Sequence, residues 1–273
     1  MALNGARRWA KPARMIRLAG LLALLFLGLP PAASAASSGW HETTGGAVRL
    51  VTTGLPDAEG RLRGALEIRL TPGWKTYWRD PGASGVAPEL DIGAAGSVEM
   101  QYPAPQWHHD GQFDWAGYKH SVSLPVILSL RRSGPIEATA FIGLCETICV
   151  PLQAKLSLDP AAGADDAMDA ASVEKAFAAL PGSATEKLGV GLRAAAEREL
   201  TLDARLDRPE GASLFVAGVD GYQFGKPKLR MESGRPVFAV KVLSRPKAKP
   251  SGAGLPYTLV TPNGAVSGLL PYF

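Results

Sequence analysis

Cysteine is scarce in this chain: two residues among 273, beside four histidines. That count excludes a small disulfide-dense scaffold, in which several bridges replace a hydrophobic core. Charge is also modest, at 20% Asp, Glu, Lys and Arg against 46% apolar residues, which excludes a charge-dominated disordered chain. The 31 glycines and 22 prolines follow no three-residue period, so a collagen-like repeat is excluded too. No Ser/His/Asp arrangement and no phosphate-binding glycine loop stands out. After residue 35 no apolar run approaches the length of a membrane-crossing helix.

Acidic residues are missing from one place in particular. Residues 1–35 hold Arg7, Arg8, Lys11, Arg14 and Arg17 and not one Asp or Glu. The apolar run Leu18 to Leu29 follows, too short for a span that takes roughly 20 residues. Pro30-Pro31 then interrupts any helix, and Ala33-Ser34-Ala35 offers small residues for cleavage. The pattern predicts a secretory signal peptide over 1–35, with an uncleaved N-terminal anchor as the alternative. The full chain carries +4, but removing the five basic residues leaves 24 against 25 acidic, a net −1. The basicity therefore belongs to the export signal and gives no case for a nucleic-acid partner. The residue directly after the cleavage point is Ala36, not a cysteine that could carry a lipid. The expected compartment is periplasmic or extracellular, and oxidising, with no stable membrane insertion of the mature chain.

The mature chain reads as short strands. Leu66, Ile68 and Leu70 alternate with Glu67 and Arg69, and Leu152, Ala154, Leu156 and Leu158 alternate with Gln153, Lys155 and Ser157. Val122 to Leu130 is a further strand, in which Pro125 suggests an edge or a strand start. Ile136 to Ile142 is another. Thr71-Pro72-Gly73, Asp80-Pro81-Gly82 and Ser133-Gly134-Pro135 read as turns. Residues 159–170 are small and acidic, as a linker would be. One short helix is expected at about 171–180, capped by Ser172 or Asp169 and ended by Pro181-Gly182. Beyond it, strands are expected at 200–206, 212–219, 236–243, 255–260 and 265–270, with a hairpin turn at Pro262-Asn263-Gly264. The fold class is all-β: a β-sandwich over 40–160, a linker with a short helix over 161–184, and a second, smaller β-rich domain over 185–273.

Both cysteines fall in Phe141-Ile-Gly-Leu-Cys145-Glu-Thr-Ile-Cys149-Val-Pro151. Cysteines this close in an oxidising compartment will form a disulfide. A purely structural bridge closing about five residues yields roughly 2 kcal/mol at best, which a chain with two cores does not need. A short ring also stores strain and is easier to reduce, so a reversible redox pair is favoured over a passive staple. Glu146 beside Cys145 disfavours a thiolate there, and nothing cationic lies nearby in sequence. The main rival is a metal site: two thiolates suit Cu(I), and His108 and His109 are the candidate additional ligands. The histidines read otherwise as an exposed polar loop, and no cofactor is called for. Trp74 and Trp78 read as core or turn packing. The aromatics of the stretch Trp107 to Tyr118 sit among Gly and Asp without strand alternation, as in a loop that packs over something.

These segments together resemble a known family. The run Pro72-Gly73-Trp74-Lys75-Thr76-Tyr77-Trp78-Arg79-Asp80-Pro81-Gly82-Ala83-Ser84-Gly85 comes first. Tyr102-Pro103-Ala104-Pro105, Gly117-Tyr118, Leu124-Pro125-Val126 and Cys145-x₃-Cys149-x-Pro151 follow it. They resemble the N-terminal periplasmic domain of the disulfide reductase DsbD, nearest its ScsB-like branch, over residues 40–160. The resemblance implies an immunoglobulin-like sandwich with a redox-active cysteine pair. It implies electrons accepted from the thioredoxin-like domain of a membrane disulfide reductase and passed to oxidised periplasmic thioredoxin-fold proteins. It makes Cys145 and Cys149 the catalytic pair, with Cys149 the attacking thiol. It places a cap loop over Phe113 to Tyr118, with Phe113, Trp115 and Tyr118 as undistinguished candidates. The best-known members have more residues between their cysteines. The 273 residues include no membrane domain and no thioredoxin-like C-x-x-C, so a separate reductase is implied. A periplasmic copper-tolerance module and a non-catalytic immunoglobulin-like interaction domain are the alternatives.

Overall fold

Alternating apolar residues become strands whose two faces are sorted between core and solvent. The computed structural model describes Met1 and residues 36–82, 85–163 and 166–273. The export segment expected over 1–35 otherwise lies outside the described residues. The first half contains β1 (His41–Thr43), β2 (Gly46–Thr52), β3 (Arg61–Leu70), β4 (Thr76–Gly82), β5 (Glu89–Asp91) and β6 (Gly96–Met100). It continues with β7 (Gln106–His109), β8 (Asp114–Tyr118), β9 (Val122–Leu130), β10 (Ile136–Cys145) and β11 (Cys149–Leu158). After α1 (Ala167–Ala178) come β12 (Gly182–Ser183), β13 (Gly189–Ala195), β14 (Glu199–Arg205) and β15 (Ser213–Val216). The chain closes with β16 (Gln223–Phe224), β17 (Lys228–Glu232), β18 (Arg235–Ser244), β19 (Leu255–Thr261) and β20 (Gly264–Leu270). The architecture is all-β.

The first sandwich stacks the sheet β1-β2-β3-β9-β6 on the sheet β11-β10-β5. Leu152, Ala154, Leu156 and Leu158 of β11 face Leu50, Leu66, Leu124 and their neighbours across one apolar core. The second sandwich stacks β12-β20-β19-β15 on the sheet formed by β13, β14, β18, β16 and β17. Leu200 and Leu202 of β14 meet Leu214, Val240 and Leu259 in its core. The strands β4-β8-β7 pair as a third, separate sheet.

Four expectations are corrected. Pro125 does not mark an outer edge, since β9 runs between β3 and β6. The proline is tolerated because β6 stops pairing at Val126, and the Pro125 carbonyl accepts from Gln101 N at 2.8 Å beyond that end. The missing N–H points the same way, so only one bond of the Gln101–Pro125 pair is lost and the β3 side keeps its ladder. Asp80-Pro81-Gly82 is no free turn but the end of β4, where the register slips and Asp80 Oδ1 accepts from Gly82 N at 3.0 Å. The helix begins at Ala167 rather than 171, capped by Asp166, whose carboxylate accepts from Met168 N and Asp169 N. Neither Ser172 nor Asp169 is the cap; Asp169 is buried, with its carboxylate 3.6 Å from Arg49. The acidic stretch is therefore partly structured: Val173 and Ala176 pack on Val51 and Ala65, the outer face of the first sheet. His108 lies in β7 and is half-buried instead of sitting in an exposed loop.

Candidate functional site

The β10–β11 hairpin sets Cys145 and Cys149 directly opposite each other, with Glu146-Thr147-Ile148 as its connection. Opposed hairpin residues are close enough to be bridged, and the two sulfurs are bonded, with Cα atoms 4.0 Å apart. The environments of the two residues differ sharply. Cys145 is 1% exposed, whereas Cys149 is exposed at the start of β11. Cys145 is held on its other side as well: its N–H donates to Lys75 O at 3.0 Å, and Lys75 N–H donates to Cys145 O at 2.8 Å.

That second pairing delivers the strand β4 to the disulfide. Thr76 Oγ1 donates to Gly143 O at 3.0 Å, and the next residue, Tyr77, reaches the sulfurs. A disulfide has no hydrogen to give, so the Tyr77 hydroxyl donates, 3.1 Å from Cys145 Sγ and 3.5 Å from Cys149 Sγ. Burial, and secondarily the charge of Asp110, push the Tyr77 hydroxyl pKa up, which keeps it a donor. Two glycines make the slot for its ring. A Cβ at Gly85 would lie 2.5 Å from the ring, and one at Gly143 would lie 3.2 Å from it. Trp115 closes the other side: Tyr77, Trp115 and Cys145 form one buried cluster, the two rings edge to face at 5.7 Å. Lys75 Nζ lies 4.5 Å over the Trp115 ring and 3.8 Å from Asp110 Oδ2. The His108 ring is tilted against Trp115 at 4.2 Å, its Nε2 buried without a hydrogen-bond partner among the described residues. Burial, reinforced by Lys119, pulls the His108 imidazole down to about 4.

The three aromatics of the expected cap loop separate. Trp115 is beside the disulfide. Phe113 is 46% exposed near the tip of the β7–β8 hairpin, where its N–H donates to Asp110 Oδ1. Tyr118 is turned to the opposite face, where its hydroxyl donates to Pro103 O at 2.9 Å. Trp74 packs on the first core, and Trp78 is buried against Phe215. His109 is exposed and pairs with Asp114 at 3.4 Å. Among the described residues no three His, Cys, Asp or Glu side chains gather as metal ligands.

Tyr77 is the site residue that sequence reasoning missed. Its signal was adjacency: Tyr77 and Trp78 are neighbours in a strand and must face opposite sides. With Trp78 in a core, Tyr77 faces elsewhere.

The cysteine hairpin, β4 and the β7–β8 hairpin all fall in one matched segment. Residues 52–161 match the family described as "Thiol:disulfide interchange protein DsbD, N-terminal". The DsbD-type resemblance of this region is thereby borne out. The fold is also similar to the crystal structure of the N-terminal periplasmic domain of ScsB from Proteus mirabilis. That likeness has a TM-score of 0.71 at 22% identity, and covers 88% of this chain and 100% of that one. It therefore reaches into the second sandwich, beyond the DsbD-type segment. No curated protein matches the chain. Among the described residues, no helix is long and apolar enough to cross a membrane.

Proposed function

We propose that this chain is a periplasmic thiol–disulfide exchange protein working through Cys145 and Cys149. It takes electrons from the thioredoxin-like domain of a membrane disulfide reductase and gives them to oxidised thioredoxin-fold proteins. The observation that carries the reading is the asymmetry of the pair within a DsbD-type segment, one sulfur residue buried and the other exposed. In the reduced protein the Cys149 thiolate attacks a partner disulfide. The partner's S–S bond breaks, one partner thiolate leaves, and a mixed disulfide forms at Cys149. The Cys145 thiolate then attacks Cys149 Sγ, closes the intramolecular disulfide and releases the second partner thiolate. Two electrons have passed to the partner, and a reduced dithiol domain restores the pair by the reverse steps. Ile148 and Val150, 71% and 43% exposed beside Cys149, offer apolar contact to the docking protein. We further assign the covering role expected of a cap to Trp115, with Phe113 at the rim.

Cys145→Ala tests the reading, because it removes the resolving sulfur. It is expected to accumulate a mixed disulfide at Cys149 with thioredoxin-fold proteins of a periplasmic extract, identified by mass spectrometry. The double variant, with Cys149→Ala added, is expected to trap none. Capture of no thioredoxin-fold protein by the single variant sinks the proposal.

A further inference from the structure

The sheet β4-β8-β7 is a layer with two working faces. Neighbouring residues of a strand point to opposite sides, and here each side meets a different body. Tyr77, Trp115 and His108 lie on the disulfide side. Trp78, Ala116 and Trp107 lie on the other, packed against Phe215 and Ala217. Those two residues come from β15 and its extension, whose alternate residues Leu214 and Val216 enter the second core. One edge strand of the second sandwich thus has one face in its own core and the other on the layer that covers Cys145.

The junction is bonded at several points. Trp107 stacks on Phe215 at 5.0 Å with an 8° interplanar angle, and its Nε1–H donates to Leu214 O at 3.0 Å. Trp78 meets the same phenyl ring edge-on at 5.8 Å. Gly218 N–H donates to Asp80 Oδ2 at 2.6 Å, and Lys226 Nζ pairs with Asp114 Oδ1 at 3.0 Å. Asp114 immediately precedes Trp115. The contacts fall on both strands of the hairpin and on β4.

We infer that Phe215, with Lys226, is a positioning residue of the exchange site: it braces the β7–β8 hairpin so that Trp115 keeps Cys145 covered and exchange starts at Cys149. This rests on the exchange reading above. The hairpin pairs with β4 through β8 on one edge only; the second sandwich supplies the packing on the face turned away from the disulfide. The covering is what makes the two sulfurs unequal.

The test uses the oxidised full chain and reduced glutathione. The glutathione thiolate attacks one sulfur, breaks the Cys145–Cys149 bond, forms a mixed disulfide there and leaves the other cysteine as thiolate. Acid quenching and peptide fragmentation locate the adduct. In the unmodified protein it is expected on Cys149. Phe215→Ala is expected to raise the share on Cys145 at least five-fold. Lys226→Met, a surface change, shifts it in the same direction by about two-fold, and Phe215→Leu restores part of the preference. Leu202→Ala, which weakens the second core away from the junction, leaves the partition unchanged. Should Phe215→Ala fail to fold, Phe215→Leu and Lys226→Met decide by the same readout. An unchanged partition in folded Phe215 and Lys226 variants overturns the brace, as does an equal shift in Leu202→Ala. A Cys145–Cys149 bond that glutathione does not open at all in the unmodified protein, seen as no free thiol and no adduct after quenching, overturns the exchange reading itself.

Discussion

The Tyr77 hydroxyl reaches both sulfurs. When the disulfide opens, its hydroxyl can donate to the Cys145 sulfur, 3.1 Å away in the closed form. A hydrogen bond to a charged acceptor contributes about 1.5–3 kcal/mol. A lower thiol pKa raises the thiolate fraction but weakens each thiolate as a nucleophile, offsetting about half of the gain. Tyr77→Phe is therefore expected to slow resolution by roughly three- to tenfold, with a mixed disulfide at Cys149 building up transiently in quenched samples. An unchanged resolution rate would leave the hydroxyl with a packing role only. His108 acts on stability. The unfolded chain binds its proton near pH 6.5, and the folded chain only at about 4. Between those values the unfolded state binds more protons, so stability rises with pH across that window and is lost as pH falls through it. The depressed carboxylates Asp57, Asp110 and Asp203 start from 3.8 and act below it. His108→Gln is expected to flatten the fall of the melting temperature between about pH 7 and about pH 5. At this scale the bonded cysteine pair was legible from its spacing together with the oxidising compartment that the export segment implies. The partners of His108 and Tyr77 were not, because they come from separate strands whose register no local pattern specifies.

The elements most legible in sequence were those with one face in a core and one in water. β11 and β14 alternate cleanly, and both lie in the expected places. β2 was invisible to the same reading because it is buried on both faces, under the first core on one side and α1 on the other. Its sequence, Gly-Ala-Val-Arg-Leu-Val-Thr, accordingly shows no simple alternation. The helix was found late for the opposite reason. Its first turn, Ala167-Met168-Asp169-Ala170, carries little apolar signal, and the cap at Asp166 lies inside an acidic run that resembles a linker. That cap can be measured. Asp166→Ala removes the acceptor for two helix N–H groups and is expected to cost about 1 kcal/mol in urea unfolding. The effect belongs to the whole first sandwich, since Val173 and Ala176 pack directly on β2 and β3. A loss confined to helical circular dichroism, with no change in the unfolding midpoint, would show the helix to be an appendage.

At the scale of the molecule, the two sandwiches share an aromatic junction that no sequence pattern announces. Trp78 and Phe215 are 137 positions apart, and each alone reads as an ordinary core residue. Their meeting couples the two cores through the layer β4-β8-β7. Coupling of this kind has a calorimetric signature. If the junction is strong relative to either core, both sandwiches unfold in one transition, and the calorimetric and van't Hoff enthalpies agree. Trp107 is the place to cut. It stacks on Phe215, donates to Leu214 O and lies under Lys226 at 5.6 Å, while remaining outside both sandwich cores. Trp107 is half-buried, so its removal costs less than the ~3–5 kcal/mol of a core tryptophan, and most of that loss falls on the junction. Trp107→Ala is therefore expected to split the single transition into two, with the ratio of calorimetric to van't Hoff enthalpy rising clearly above one. A single transition merely shifted to lower temperature would mean that the remaining contacts, Asp80 with Gly218 and Lys226 with Asp114, suffice to hold the halves together. In that case Asp80→Ala added to Trp107→Ala removes the strongest of these and should complete the separation.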